Sequence, residues 1–99
     1  MKEYQVIIGG KAKKQLAELY DYIALNSSSQ TAFNYTEGIV DYCESLKTFP
    51  KRGNKRDDIL PGMRVTNYRK RTTITFVVRD EVVEILGIWY GGQNYQESD

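Results

Sequence analysis

A chain of 99 residues with 40% hydrophobic and 27% charged side chains has the composition of one globular domain, too apolar to be disordered. It contains no histidine and one cysteine, Cys43. That excludes Ser-His and Cys-His nucleophile pairs, imidazole acid–base chemistry, histidine zinc sites, thiolate cages and an internal disulfide. The net charge of +1 conceals a division. Lys47, Lys51, Arg52, Lys55, Arg56, Arg64, Arg69, Lys70 and Arg71 face only Asp57 and Asp58 in the middle of the chain, and both flanks are net acidic. Such a segment suits either a polyanionic or acidic partner or a solvated loop. No apolar run approaches the roughly 20 residues that span a bilayer. The first ten residues lack a basic-then-apolar leader pattern, so the expectation is a cytoplasmic protein with no membrane association, metal or cofactor.

In chain order, Glu3 to Ile8 reads as a short strand in which Tyr4, Val6 and Ile8 alternate with Glu3, Gln5 and Ile7. Gly9-Gly10 breaks it. From Lys11 to about Leu25, Ala12, Leu16, Leu19, Tyr20 and Ile23 recur at helical spacing. Ser27 and Gln30 have capping-box spacing and predict the start of a second helix running to about Thr48. Its apolar stripe is Ala32, Tyr35, Ile39, Cys43 and Leu46, widened by Phe33 and Val40. Gly38 within it costs about 1 kcal/mol relative to alanine, and Pro50 ends it.

Residues 50–62 are rich in turn formers and charge. Three β-rich runs follow, Met63 to Tyr68, Thr72 to Arg79 and Val82 to Tyr90, the last two joined at hairpin spacing by Asp80-Glu81. Alternation puts Val83, Ile85, Gly87 and Trp89 on one face of the last strand, and Val82, Glu84, Leu86, Ile88 and Tyr90 on the other. The expected fold is one α+β domain over residues 1–99: an N-terminal strand, a helical hairpin, then a three-stranded antiparallel sheet, with 91–99 a flexible tail.

The chemistry left open rests on Arg, Lys, Tyr and Trp. Arginine can stabilise a phosphate transition state and tyrosine can move protons, so RNA cleavage by Arg64, Arg71 and Tyr90, with Tyr68 nearby, is chemically conceivable. Lys51, Arg52, Lys55 and Arg56 would grip backbone phosphates. The plainer alternative gives Arg64 a surface ion pair with Asp57, Asp58 or Glu84, Trp89 a core or partner-contact role, and Cys43 a buried structural thiol. Tyr20, Tyr22 and Tyr35 are either exposed anchors for a partner or core residues.

Leu46-Lys47-Thr48-Phe49-Pro50-Lys51-Arg52-Gly53, followed by Arg56-Asp57-Asp58-Ile59-Leu60-Pro61-Gly62-Met63-Arg64, resembles the signature of ParE toxins in the RelE/ParE superfamily. Ala17-Glu18-Leu19-Tyr20-Asp21-Tyr22-Ile23-Ala24 is similar to the first helix of that family, and Thr75-Phe76-Val77-Val78 with Val82-Val83-Glu84-Ile85-Leu86-Gly87-Ile88 to its final hairpin. The resemblance implies a bacterial type II toxin of the kind that serves plasmid stabilisation. It also implies neutralisation by a ParD-like antitoxin and DNA gyrase as the target, bound without turnover. Two alternatives stand beside that reading: a RelE-like ribosome-dependent mRNA endonuclease using Arg64, Arg71 and Tyr90, and an inactive toxin fold kept as an antitoxin-binding module. In all three the binding residues are drawn from Lys51, Arg52, Arg56, Arg64, Tyr68, Arg69, Arg71, Trp89 and Tyr90, with Tyr20 and Tyr22 on the helical side.

Overall fold

The computed structural model describes residues 3–93 and 95. Its elements are β1 (Gln5–Ile8), α1 (Gly10–Asn26), α2 (Ser29–Ser45), β2 (Asn54–Lys55), β3 (Met63–Tyr68), β4 (Thr72–Arg79) and β5 (Val82–Tyr90). The three long strands occupy the β-rich runs predicted from the sequence, Met63–Tyr68, Thr72–Arg79 and Val82–Tyr90. The strands form one five-stranded mixed sheet in the order β1-β5-β4-β3-β2, so the expected three-stranded antiparallel sheet is its centre and not its whole. β1 pairs parallel with β5, Gln5 opposite Val82 and Ile8 opposite Ile85. A parallel pair needs a long crossover, and the helical hairpin together with β3 and β4 supplies it. β2, inside the turn-rich segment, adds a two-residue edge to β3.

The helix boundaries shift for local reasons. Ser27 closes α1 by donating its backbone N–H to the carbonyl of Ile23, and Ser28 is the residue that caps α2, its hydroxyl accepting from the N–H of Thr31. The expected Ser27–Gln30 box is therefore displaced by one residue. Helix α2 ends at Ser45, and Leu46 to Thr48 continue as tighter turns.

Ala12, Leu19 and Ile23 of α1 pack with Ala32, Ile39 and Cys43 of α2, with Leu46, and with Ile74, Phe76, Val83, Ile85 and Ile88 of the sheet. Phe33, expected to widen the stripe of α2, points outward and is 53% exposed. The faces of β5 also depart from simple alternation. Ile85 pairs with Phe76 and Gly87 with Thr75, which leaves Leu86 as an extra residue in a bulge. Past the bulge the faces exchange, so Ile88 joins Val83 and Ile85 in the core while Gly87 and Trp89 share the opposite side with Thr75. There the Trp89 indole folds over Gly87 and donates to the hydroxyl of Thr75 at 3.2 Å.

Among the described residues no strand continues alongside β5 beyond Ile8. The side chain of Gln15 accepts the N–H of Ile88 at 2.7 Å and Gln93 accepts that of Tyr90 at 2.8 Å, so two amides finish the exposed part of that edge. Among the described residues no helix is long and apolar enough to cross a membrane.

Candidate functional site

The basic segment folds back on itself before it offers anything to a partner. The guanidinium of Arg64 donates to the carbonyls of Lys51, Arg52 and Gly53 at 2.7, 3.1 and 3.3 Å. Gly53 takes φ 79 with its α-carbon against the Val65 backbone, a place only glycine fits. Arg56 forms a two-pronged pair with Asp58 and also donates to the hydroxyl of Tyr95 at 2.7 Å. The hydrogen bonds from Arg56 hold the Asp58 carboxyl below its ordinary range. Asp57 accepts the N–H of Gly62 at 2.8 Å, closing the Pro61-Gly62 turn. The most recognisable stretch of the sequence is thus a scaffold in which Arg56, Asp57, Asp58 and Arg64 are engaged by their own loop. Arg64 finds its partners among carbonyls, not at the carboxylates of Asp57, Asp58 or Glu84.

Arg52 donates to Ser45 and lies 4.9 Å above the Tyr42 ring and 5.8 Å from that of Phe49. Tyr42 begins a continuous run of tyrosines between α2 and the sheet. Its ring centroid is 5.8 Å from Tyr68, Tyr68 is 5.5 Å from Tyr35, Tyr35 is 5.9 Å from Tyr90, and Tyr90 is 6.0 Å from Tyr22. The tilted and edge-to-face geometries are those that ring quadrupoles favour. Arg69 and Arg71 sit over Tyr68 and Tyr90, each at 5.5 Å. The Tyr35 and Tyr42 hydroxyls share hydrogen bonds with Thr72 and Thr66 at 2.7 and 2.8 Å, so burial costs neither its partner. Burial, only partly offset by the Thr72 bond, pushes the Tyr35 hydroxyl up from its usual pKa.

At the Tyr22 end the run opens into a cleft of about 420 Å³, lined among others by Gln15, Glu18, Tyr22, Arg71, Tyr90 and Gln93. Arg71 and Tyr90, two of the three residues proposed for catalysis, therefore meet, while Arg64 is engaged in the loop instead. Tyr68 and Arg69 join the same stripe through Tyr35. Tyr22 is 55% exposed at the cleft, whereas Tyr20 and Tyr35 are partly buried against the core. Trp89 is buried on the other side of the sheet, beneath the Lys11 ammonium at 4.8 Å. Lys51 is exposed beside Phe49, itself 62% exposed. Cys43 is buried as expected, and burial pushes its thiol up to about 12. Among the described residues no group of three or more His, Cys, Asp or Glu side chains gathers in a way that could hold a metal ion. Sequence reasoning missed Gln15, Tyr42 and Gln93 as site-forming residues. Only Tyr42 left a signal, seven residues after Tyr35 and so on the same helical face.

The fold is similar to that of a solved structure described as the chromosomal ParDE TA system from P. aeruginosa, with a TM-score of 0.78 and 21% identity over 90% of this chain and 97% of that one. It is less similar to a conserved hypothetical protein, HP0894, from Helicobacter pylori, with a TM-score of 0.44 and 13% identity over 88% of this chain and 93% of that one. No curated protein sequence matches at a significant level. The family model for the ParE toxin of the type II toxin–antitoxin system parDE matches residues 6–95. That span runs from β1 through the scaffold loop and the tyrosine run to Tyr95, and the chain belongs to the ParE toxin family of type II toxin–antitoxin systems.

Proposed function

We propose that this toxin acts in the cytoplasm by binding and inhibiting DNA gyrase, and that a cognate ParD-like antitoxin neutralises it. The family match over residues 6–95 carries the reading. The engagement of Arg64 with three loop carbonyls supports a binding protein over a nuclease, because it leaves fewer cations for a phosphate transition state. The exposed Tyr22 and the cleft beside it suit an anchor residue of the antitoxin. Lys51, Arg52 and the Arg69–Arg71 turn suit an acidic face on either partner.

One observation favours a second reading, a ribosome-dependent mRNA endonuclease: Arg71 stacks over Tyr90 at the mouth of the cleft. The two are separated by assaying antitoxin-free protein for loss of gyrase supercoiling and for cleavage of mRNA on programmed ribosomes. Loss of supercoiling with intact mRNA is the expected result. Cleavage with normal supercoiling would assign the nuclease instead, and Arg71→Ala should then abolish it. Silence in both assays would leave an antitoxin-binding module.

A further inference from the structure

The turn between β3 and β4 is built against its own backbone preference. Arg69 and Lys70 take φ 51 and 64, the left-handed region that side-chain-bearing residues rarely adopt. Asparagine and glycine are the residues that enter such a turn with least strain, yet the chain places Arg69, Lys70 and Arg71 there, all exposed. Among the described residues none of the three forms an ion pair. Two of them lie over rings of the tyrosine run, so flat cations and aromatic faces alternate along one stripe.

From this geometry we propose that the stripe binds single-stranded nucleic acid directly, with bases against the exposed Tyr22 ring and the outward guanidinium faces of Arg69 and Arg71, and phosphates at the β3–β4 turn. An acidic peptide would use the charges but not the exposed planar faces of Tyr22, Arg69 and Arg71. A duplex keeps its base faces stacked inside and could not use them either. Binding should tolerate sequence, because the Tyr35 and Tyr42 hydroxyls are already engaged by Thr72 and Thr66 and cannot read base edges. Glu18, which also lines the cleft, marks where a polyanion's path would end. The inference goes beyond the target reading, since it requires neither gyrase nor ribosome.

The test is fluorescence anisotropy of the antitoxin-free chain with fluorescein-labelled oligo-dT and oligo-rU of equal length, at several salt concentrations. Saturable binding is expected, weakening with salt by about 0.7 logarithmic units per phosphate contact for each tenfold rise in salt. Replacing both arginines, Arg69→Ala with Arg71→Ala, should weaken binding at least tenfold and flatten that slope. Tyr22→Ala should weaken it by about tenfold, as loss of one stacked base does. Arg79→Ala, an exposed charge at the opposite end of β4, should change nothing. Equal binding of the two oligomers, or preference for either, supports the site and tells which nucleic acid it serves. Absence of binding would overturn the proposal, as would equal weakening by Arg79→Ala. A poly-glutamate peptide competing as well as the oligomers would also overturn it and assign the surface to an acidic protein.

Discussion

The phenol of Tyr68 lies against the backbone of Gly38, so the ring that β3 sends toward α2 enters at the one position of that helix without a side chain. This contact resolves an apparent flaw in the helix, since glycine at its centre weakens it but lets the tyrosine run close between α2 and the sheet.

Gly38→Ala should therefore lower stability despite its better helix propensity. Alanine would gain about 1 kcal/mol in the helix, whereas overpacking against the phenol typically costs about 1–3 kcal/mol. Urea unfolding should show a net loss, and Tyr68→Phe in the same chain should recover part of it by removing the atom nearest the new methyl. A more stable single variant would mean that the ring moves aside freely.

Arg64→Lys keeps the charge and loses the fork that reaches three carbonyls. The predicted consequence is local, because the loop over residues 51–53 is released while the sheet stays folded. Limited trypsin digestion should cut after Lys51 and Arg52 several-fold faster than in the parent, with little change in circular dichroism. An unchanged digestion rate would show that the loop holds without the guanidinium.

The Arg56–Asp58 pair makes a pH prediction. The folded-state pKa of Asp58 is depressed, first by the hydrogen bonds from Arg56, so its contribution is present above the ordinary carboxylate range and disappears as pH falls through the lowered value. An NMR titration should place the Asp58 midpoint below that of a model peptide, and Arg56→Gln should return it to the usual range. The pair is exposed and its effect on global stability should be small.

Cys43 and Tyr35 carry the opposite sign. Burial raises both, the thiol to about 12, so the neutral forms persist in the fold while the unfolded chain loses its protons at lower pH. Stability should be fully present below the unfolded pKa of a thiol, about 8.5, and decline as pH rises toward the folded value. The steepest contribution of one such group is about 1.4 kcal/mol per pH unit. Chemical unfolding between pH 8 and 10.5 reads this decline, and Cys43→Ala should make it shallower. A thiol reagent that labels native Cys43 at pH 8 as fast as a free thiol would contradict the burial on which this rests.

Composition and punctuation made β3, β4 and β5 legible residue by residue, because each is a β-rich run bounded by turn formers. The helical stripes were legible from their spacing, apart from Phe33, whose position at the edge of the arc left either direction open. Periodicity says nothing about an added residue, so the bulge at Leu86 and the exchange of faces beyond it were hidden. Nor does it say which way a terminal strand runs: with two helices and three strands between them, β1 could meet β5 in either direction, and hydrogen bonds from Gln5 and Gly9 to Glu81 and Ile85 decide it. At the site the sequence determined the composition of the basic segment and the block that marks the ParE family. Only the tertiary structure decided that Arg64 and Arg56 are held by their own loop while Arg69 and Arg71 stand over tyrosines, because a charge's partners depend on which distant backbone and rings the fold brings within a few ångströms of it.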